Sequence, residues 1–325
     1  LRELGKQMQR EGEYLQVVAT VRGEPVTWLP SGAKQASTLL PVAVEGVFRE
    51  GAWEQSRVDL PHPQDRDHSA AWSLLQWRRQ QCGCLPLGYA HDLEDGMRKH
   101  AEYLALNGGE AHEEVSGKPG YTPEGARAAS NCIIGHGDSS SLSAIAMHLG
   151  TLYHRTRPLQ PGLERSAMVF HKGTFLFDVF SHRGGPHRDA LLVYPPHGMQ
   201  GVRTAFHEQG ESPMPVKDVK AHGNRLGTAV NVFSEPLRVA EALAEGPTLT
   251  LVSVKRRKTP VAGHFHFPGE PPSTRAGRSN RGNVAFVPER PLRARTRYEA
   301  SARIVLPGGR AFVYRWWFET HRKRR

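Results

Sequence analysis

The chain has 325 residues, of which 38% are apolar and 23% are charged, and its formal net charge is +11. The length suits two domains or slightly more, and the composition excludes a disordered or collagen-like chain. No run of about 18 uncharged apolar residues occurs, which excludes a membrane-spanning helix. The chain begins at Leu1 without a basic and apolar leader, and we expect its natural start to be missing.

The first 62 residues carry strand signals followed by a connector. Residues 13–21 and 39–48 alternate between apolar and polar side chains, which predicts strands of a β-rich element. Residues 51–68 are polar and contain prolines, which predicts a linker.

Residues 63–190 begin with four helix signals. Residues 70–81 contain neither Gly nor Pro, and residues 91–106 place four apolar side chains on one helix face before an Asn-Gly-Gly stop. Thr122, followed by a proline, predicts the N-cap of a third helix, and Ser141 predicts the N-cap of a fourth.

The apolar period changes from helical to alternating at Ala167, and residues 171–174 supply a hairpin turn. Helices followed by a hairpin predict an α+β domain.

Residues 191–320 are predicted to be all β. Tyr298, placed just before a long strand, predicts a tyrosine corner, in which the hydroxyl binds the preceding loop. Trp316 and Trp317 point to opposite faces of a strand, so we expect one of them in the core. Residues 321–325 form a basic tail. Strands separated by turn residues indicate an antiparallel sandwich and are predicted at 229–234, 248–254, 283–288, 298–306 and 312–320.

The three cysteines leave two alternatives open. Their odd number excludes a complete set of disulfides within the chain, and they are too few for a four-cysteine zinc site. One disulfide from Cys82 or Cys84 to Cys132 is allowed in an oxidising compartment, and three buried thiols are the alternative.

The positive charge is confined to the C-terminal part. Residues 191–325 hold 23 Lys and Arg against 10 Asp and Glu, whereas residues 1–190 hold 20 against 22. This asymmetry predicts an anionic partner, such as an envelope polymer or lipid headgroups, and its alternative is a surface that contacts only solvent. Nucleic acid is not expected, because the basic clusters lack interleaved aromatic residues.

Short elements in the middle of the chain occur in a specific order. They resemble the bacterial form of the CAP domain, also called the SCP domain, of cysteine-rich secretory, antigen-five and pathogenesis-related-one proteins. The elements are Trp77-Arg78, Gly83-Cys84-Leu85-Pro86-Leu87, His100-Ala101-Glu102-Tyr103-Leu104, His112, Gly120-Tyr121-Thr122-Pro123-Glu124-Gly125, Ala128-Ala129-Ser130-Asn131 and His154-Arg155.

The segment from Tyr194-Pro195 to Trp317-Phe318-Glu319-Thr320 resembles a bacterial immunoglobulin-like module. The two resemblances imply an α-β-α CAP domain over 63–190 and a β-sandwich over 191–320. They also imply a protein located outside the cell or in its envelope.

The resemblance further implies a cleft that has lost its metal ligands. Many CAP domains hold two histidines and two acids there. In this chain His112 matches the first histidine, Ser130 and Thr151 replace the acids, Asn131 is retained, and the second histidine has no match. Because a zinc site takes three or four ligands, we expect neither a metal nor a cofactor. With His154 nearby, these residues predict a cleft that hydrogen-bonds a small polar or lipid-like ligand.

Two alternatives accompany this cleft. A lone His112 is alternatively a hydrogen-bonded structural residue, the role we also expect for His100. A protease-like hydrolase would use His112 as base and Ser130 as nucleophile, but the chain has no Gly-x-Ser-x-Gly element. We therefore expect a non-enzymatic binding protein, whose basic sandwich would help to localise it or contact a partner, with an anionic envelope polymer as the candidate.

Overall fold

A computed structural model gives the fold of most of the chain. The described residues are 65–109, 111–184, 191–205, 225–233, 248–254, 258–266, 282–305 and 311–321, with Pro63, Val216 and the backbone of five strands between 17 and 55.

The N-terminal strands are short. They are β1 (Val17–Val21), β2 (Glu24–Trp28), β3 (Val42–Ala43), β4 (Gly46–Arg49) and β5 (Ala52–Gln55). β1 pairs antiparallel with β2 and parallel with β3, while β4 and β5 pair antiparallel. A β-rich start is thus confirmed. The linker predicted over 51–68 is wrong at both ends, because β5 lies inside it and the first helix begins within it.

Four α-helices follow among the described residues, as predicted. They are α1 (Arg66–Gln81), α2 (Glu94–Asn107), α3 (Pro123–Asn131) and α4 (Ser141–Gly150). The α2 helix ends at Asn107, and Gly108 after it has a φ of 74° and a ψ of 166°. This positive φ favours glycine, but it is not the left-handed helical cap that the sequence predicted. Thr122 caps α3, as predicted, by accepting a hydrogen bond from the backbone N–H of Gly125. The cap of α4 is Ser140 instead of Ser141, because Ser140 forms a reciprocal capping box with Ser143.

Two small sheets lie among the helices. The strands are β6 (Gly88–Tyr89), β7 (Cys132–His136), β8 (Arg165–Ser166), β9 (Met168–His171) and β10 (Thr174–Asp178). The order β7-β10-β9 is antiparallel throughout, and β6 pairs parallel with β8. The predicted hairpin joins β9 to β10 through Lys172 and Gly173, both at positive φ. Because α1, α2 and α4 all contact β9, this part of the chain has a mixed α+β fold.

Eight strands are present among the described residues of the C-terminal part. They are β11 (Leu192–Tyr194), β12 (Val230–Phe233), β13 (Thr248–Val254), β14 (Lys258–Pro260), β15 (Gly263–His266), β16 (Asn283–Pro288), β17 (Arg297–Val305) and β18 (Ala311–Glu319). They make two four-stranded antiparallel sheets, ordered β11-β12-β16-β15 and β14-β13-β17-β18. Val230 and Val284 of the first sheet share one core cluster with Leu251 and Trp316 of the second. The described part thus contains two antiparallel sheets that share a core, including three strands that the sequence did not indicate, namely β11, β14 and β15.

Two local predictions in this sandwich are confirmed. Trp316 is 2% exposed and belongs to the core, while its neighbour Trp317 lies half-buried on the other face of β18. The hydroxyl of Tyr298 accepts a hydrogen bond of 2.7 Å from the backbone N–H of Arg293, which is the expected tyrosine corner.

Arg155 joins the helical part to the sandwich. Its side chain is 1% exposed, and its guanidinium carbon lies 4.1 Å from the ring centroid of Tyr194. Its Nη atoms donate to the carbonyl oxygens of Gly150 and Ala229, at 3.0 and 3.1 Å. Because these partners come from both parts, the two parts share one buried junction.

Among the described helices, none combines the length and the apolar character that crossing a bilayer requires.

Candidate functional site

A cavity of about 620 Å³ opens where α1 and α2 begin. Asp65, the N-cap of α1, lies in the segment predicted as a linker, and none of the lining residues was singled out from the sequence. The lining residues are Asp65, Asp67, His68, His91, Glu94, Arg98 and Phe170.

Two carboxylates at the start of α1 each use one oxygen to hold a helix end. Oδ1 of Asp65 accepts hydrogen bonds from the backbone N–H groups of Asp67 and His68, at 2.9 and 3.0 Å. The hydrogen bond from the backbone N–H of His68 is the main reason why the pKa of Asp65 is lowered. Oδ2 of Asp67 accepts a bond of 2.6 Å from the N–H of Ser141, the first residue of α4. The second oxygens, Oδ2 of Asp65 and Oδ1 of Asp67, have no hydrogen-bond donor in the described part of the chain.

His68 is nine-tenths buried, with 7% of its surface exposed. Its Nε2 accepts a hydrogen bond of 3.2 Å from the backbone N–H of Phe170 in β9. A nitrogen that accepts carries no proton, so the neutral ring carries its proton on Nδ1. Within the described residues this Nδ1 has no hydrogen-bond partner. His68 therefore presents a donor.

The charges of Glu94 and Arg98 offset each other on the α2 side of the cavity. Nη2 of Arg98 lies 2.5 Å from Oε2 of Glu94, one helical turn away. Oε1 of Glu94 lies 2.8 Å from the hydroxyl of Tyr89 and 3.5 Å from Nδ1 of His91. Burial, more than the neighbouring carboxylate, raises the pKa of Tyr89, which keeps its hydroxyl protonated.

Three of these groups lie close enough to suggest a metal site. The ligating atoms of Asp65, Asp67 and His68 lie within 4.8 Å of one another. However, the bond from Phe170 occupies Nε2 of His68 and leaves the proton on Nδ1, so the imidazole offers no lone pair to an ion. Two carboxylates are fewer than the three protein ligands of a catalytic zinc site. The residues fit a ligand that both donates and accepts hydrogen bonds better than they fit a transition metal.

The five residues predicted to form a cleft are distributed over a loop and two helix ends. The hydroxyl of Ser130 and the amide of Asn131 both donate to the carbonyl of Arg127, at 2.9 and 3.1 Å, and so close the end of α3. His112 is exposed on the loop before α3.

Thr151 and His154 lie just after α4. The Thr151 hydroxyl is fully buried and donates a bond of 2.6 Å to the carbonyl of His148. The half-buried ring of His154 lies 5.4 Å from that of His148. Over the described ranges, no hydrogen bond joins His112 to Ser130, Asn131, Thr151 or His154. A common cleft of these five residues stays a prediction.

The expected role of His100 as a core histidine is confirmed. Its ring is fully buried, with Nδ1 3.0 Å from Oε1 of Glu114 and Nε2 3.1 Å from the carbonyl oxygen of Ala111. These bonds fix the loop on both sides of His112.

The cysteines are three free thiols, the second of the two alternatives. Cys84 and Cys132 are buried, and Cys82 is half-buried. Burial raises the pKa of both Cys84 and Cys132. These thiols are therefore unreactive packing residues.

Comparisons with known proteins identify no relative. No family model matches the chain, and no curated protein matches it. Two crystal structures of PcoC, a copper resistance protein from Escherichia coli, align with 39% of this chain and with 94% and 92% of theirs. The identities are 13% and 14%, and the TM-score is 0.24 in both cases. At this score the alignments establish no common fold, so we draw nothing from them.

Proposed function

We propose that this chain is a non-enzymatic binding protein of the cell exterior or envelope, in which a CAP-like domain precedes an immunoglobulin-like sandwich. Its site is the cavity between α1, α2 and β9, and its ligand is a small neutral molecule rich in hydroxyl groups, such as a saccharide. The observation that carries the proposal is the presence of unpaired acceptors and an unpaired donor in one cavity.

The acceptors are the second oxygens of Asp65 and Asp67, and the donor is Nδ1–H of His68. A hydroxyl group both donates and accepts, so neighbouring hydroxyls of a saccharide satisfy both kinds of group. A simple cation would satisfy the carboxylates but could not accept the hydrogen bond that Nδ1–H of His68 offers, whereas a hydroxyl oxygen can. The Phe170 ring adds an apolar surface for the C–H groups of the ligand.

Glu94 adds little net charge, because Arg98 pairs with it. The charges of Asp65 and Asp67 are partly offset as well, since both carboxylates accept backbone N–H groups at helix N-termini. A neutral polar ligand is therefore compatible with the electrostatics of the cavity.

The hydrolase alternative gains no support. A base and a nucleophile need to lie within hydrogen-bond reach, directly or through a water molecule. The Ser130 hydroxyl donates to a helix-end carbonyl, and across the described residues it has no bond to His112.

The proposal is tested by isothermal titration with neutral saccharides, namely glucose, N-acetylglucosamine and maltose, and with the variant Asp67→Asn. An asparagine oxygen still accepts the bond from Ser141, while its NH₂ group replaces the unpaired acceptor. We expect at least one saccharide to bind and the variant to weaken that binding at least tenfold.

Asp95→Asn is the matched control. Asp95 lies on α2 outside the cavity, and 73% of its side chain is exposed. We expect this variant to bind like the wild type. Failure of all three sugars to bind at millimolar concentration, or unchanged binding in Asp67→Asn, would contradict the proposal.

A further inference from the structure

Two arginine–tryptophan pairs lie on the surface where α1 meets the sandwich. The guanidinium carbon of Arg78 lies 4.2 Å from the ring centroid of Trp77, and that of Arg297 lies 3.7 Å from the ring of Trp317. Trp77 is 47% exposed, so part of its ring is open to a partner. The guanidinium group of each arginine thus lies over an indole ring.

The two pairs are neighbours through the segment before β12. Nη1 of Arg78 lies 3.7 Å from Sδ of Met199. The backbone N–H of Gly198 donates to the carbonyl of Trp317 at 2.8 Å, and the N–H of Glu319 donates to the carbonyl of Met199. We call Trp77, Arg78, Met199, Arg297 and Trp317 the junction patch.

The positive charges of the junction patch are not compensated by ion pairs. Within the part of the chain that the structure describes, neither Arg78 nor Arg297 forms a salt bridge, although Glu319 stands opposite Arg297 in the β17–β18 register. In contrast, Arg127 and Arg165 each lie within 4 Å of a carboxylate oxygen of another residue. The junction patch therefore combines fixed guanidinium groups, exposed aromatic surface and unbalanced positive charge.

We infer that the junction patch binds an acidic polysaccharide. Guanidinium groups bind carboxylates and sulfates through paired N–H donors, and exposed tryptophans supply apolar surface that sugar rings cover. Single-stranded nucleic acid is the competing polyanion, since bases also stack on tryptophan, and its binding is one outcome of the test below. This inference does not rest on the cavity.

The test compares two double variants that remove the same charge. Arg78→Gln with Arg297→Gln changes the junction patch, and Arg127→Gln with Arg165→Gln changes exposed arginines on other surfaces. Binding to immobilised hyaluronate, a carboxylated polysaccharide, is measured at low salt by surface plasmon resonance. We expect the first pair of substitutions to weaken binding at least tenfold and the second to change it less than twofold.

Trp77→Ala provides a second test at constant net charge, and we expect it to weaken binding at least threefold. Three results would overturn the inference. These are absence of wild-type binding, an equal loss in both double variants, or tighter binding of single-stranded DNA than of hyaluronate.

Discussion

The backbone N–H of Phe170 donates to Nε2 of His68, and this single bond sets the chemistry of the cavity. It fixes the proton of the imidazole on Nδ1 and therefore makes His68 a donor. It also joins α1 to β9 across the cavity. The site thus depends on tertiary packing between segments 102 positions apart.

The cap of α1 is expected to contribute to stability as well as to the cavity. Asp65→Ala removes the acceptor of two backbone N–H groups, and loss of such a cap costs about 0.5–2 kcal/mol. Asp65→Ser keeps a capping oxygen and should retain most of that free energy. Urea unfolding of the three proteins measures the difference. Equal stability of the alanine and wild-type proteins would show that the cap is dispensable.

Breaking the buried pair of His100 and Glu114 is expected to destabilise the fold strongly. Glu114 also accepts a bond of 3.0 Å from the N–H of Thr122, the cap of α3. Glu114→Ala leaves the His100 ring and the Thr122 N–H without this partner. An unsatisfied buried polar group costs about 1–3 kcal/mol, and we expect a loss of about this size for each of the two. The exposed neighbour Glu113 supplies the control, since Glu113→Ala should change the free energy of unfolding by less than about 0.5 kcal/mol.

Stability is expected to decrease in acid because of His148. Desolvation, followed by the nearby His154, lowers its pKa from 6.5 to about 4. The unfolded chain binds a proton below pH 6.5 that the folded chain does not bind, so stability falls as the pH decreases from about 6.5 to about 4. The difference in pKa corresponds to about 3 kcal/mol at the acidic end.

Chemical unfolding at several values between about pH 7 and pH 4 tests this expectation, with His148→Gln for comparison. The variant has no imidazole at this position, so its stability should fall less than that of the wild type. The same pH dependence in both proteins would exclude His148 as the cause.

Arg155 is expected to couple the unfolding of the helical part to that of the sandwich. Arg155→Met keeps much of the volume but leaves the carbonyls of Gly150 and Ala229 without their donor, at about 1–3 kcal/mol for each unsatisfied group. We expect one calorimetric transition in the wild type and a lower or split transition in the variant. Arg127→Met, at an exposed position of α3, should leave the transition unchanged. Two separate transitions in the wild type would refute the coupling.

Local sequence signals predicted much of the fold. The start of α3 is marked by Thr122 before a proline, and the end of α2 by Asn107 before two glycines. These residue types favour helix ends through their local conformational preferences, so both boundaries can be predicted without knowledge of the tertiary structure. Tyr298 is similar, because its hydroxyl binds a residue five positions away. The strand β7 was missed, since it follows Asn131 directly and no turn residue separates it from α3.

The candidate site was harder to predict for a physical reason. The residues that match CAP-family positions follow one another along the sequence in the order found in that family. In this chain, however, the hydroxyls of Ser130 and Thr151 bind backbone carbonyls at helix ends. The cavity instead combines the start of α1, the start of α2 and one residue of β9. The one local signal was Asp65, the N-cap of α1, followed closely by Asp67 and His68. Because the surrounding sequence is polar and contains prolines, this segment resembled a linker.

The most direct test of the proposed site is a long-range ¹H–¹⁵N NMR spectrum of the histidine rings, recorded with and without a saturating neutral saccharide. The account predicts that His68 carries its proton on Nδ1 and that its ring signals shift on addition of the sugar, while those of His112 stay in place. Shifts at His112 with none at His68, or a proton on Nε2 of His68, would contradict it.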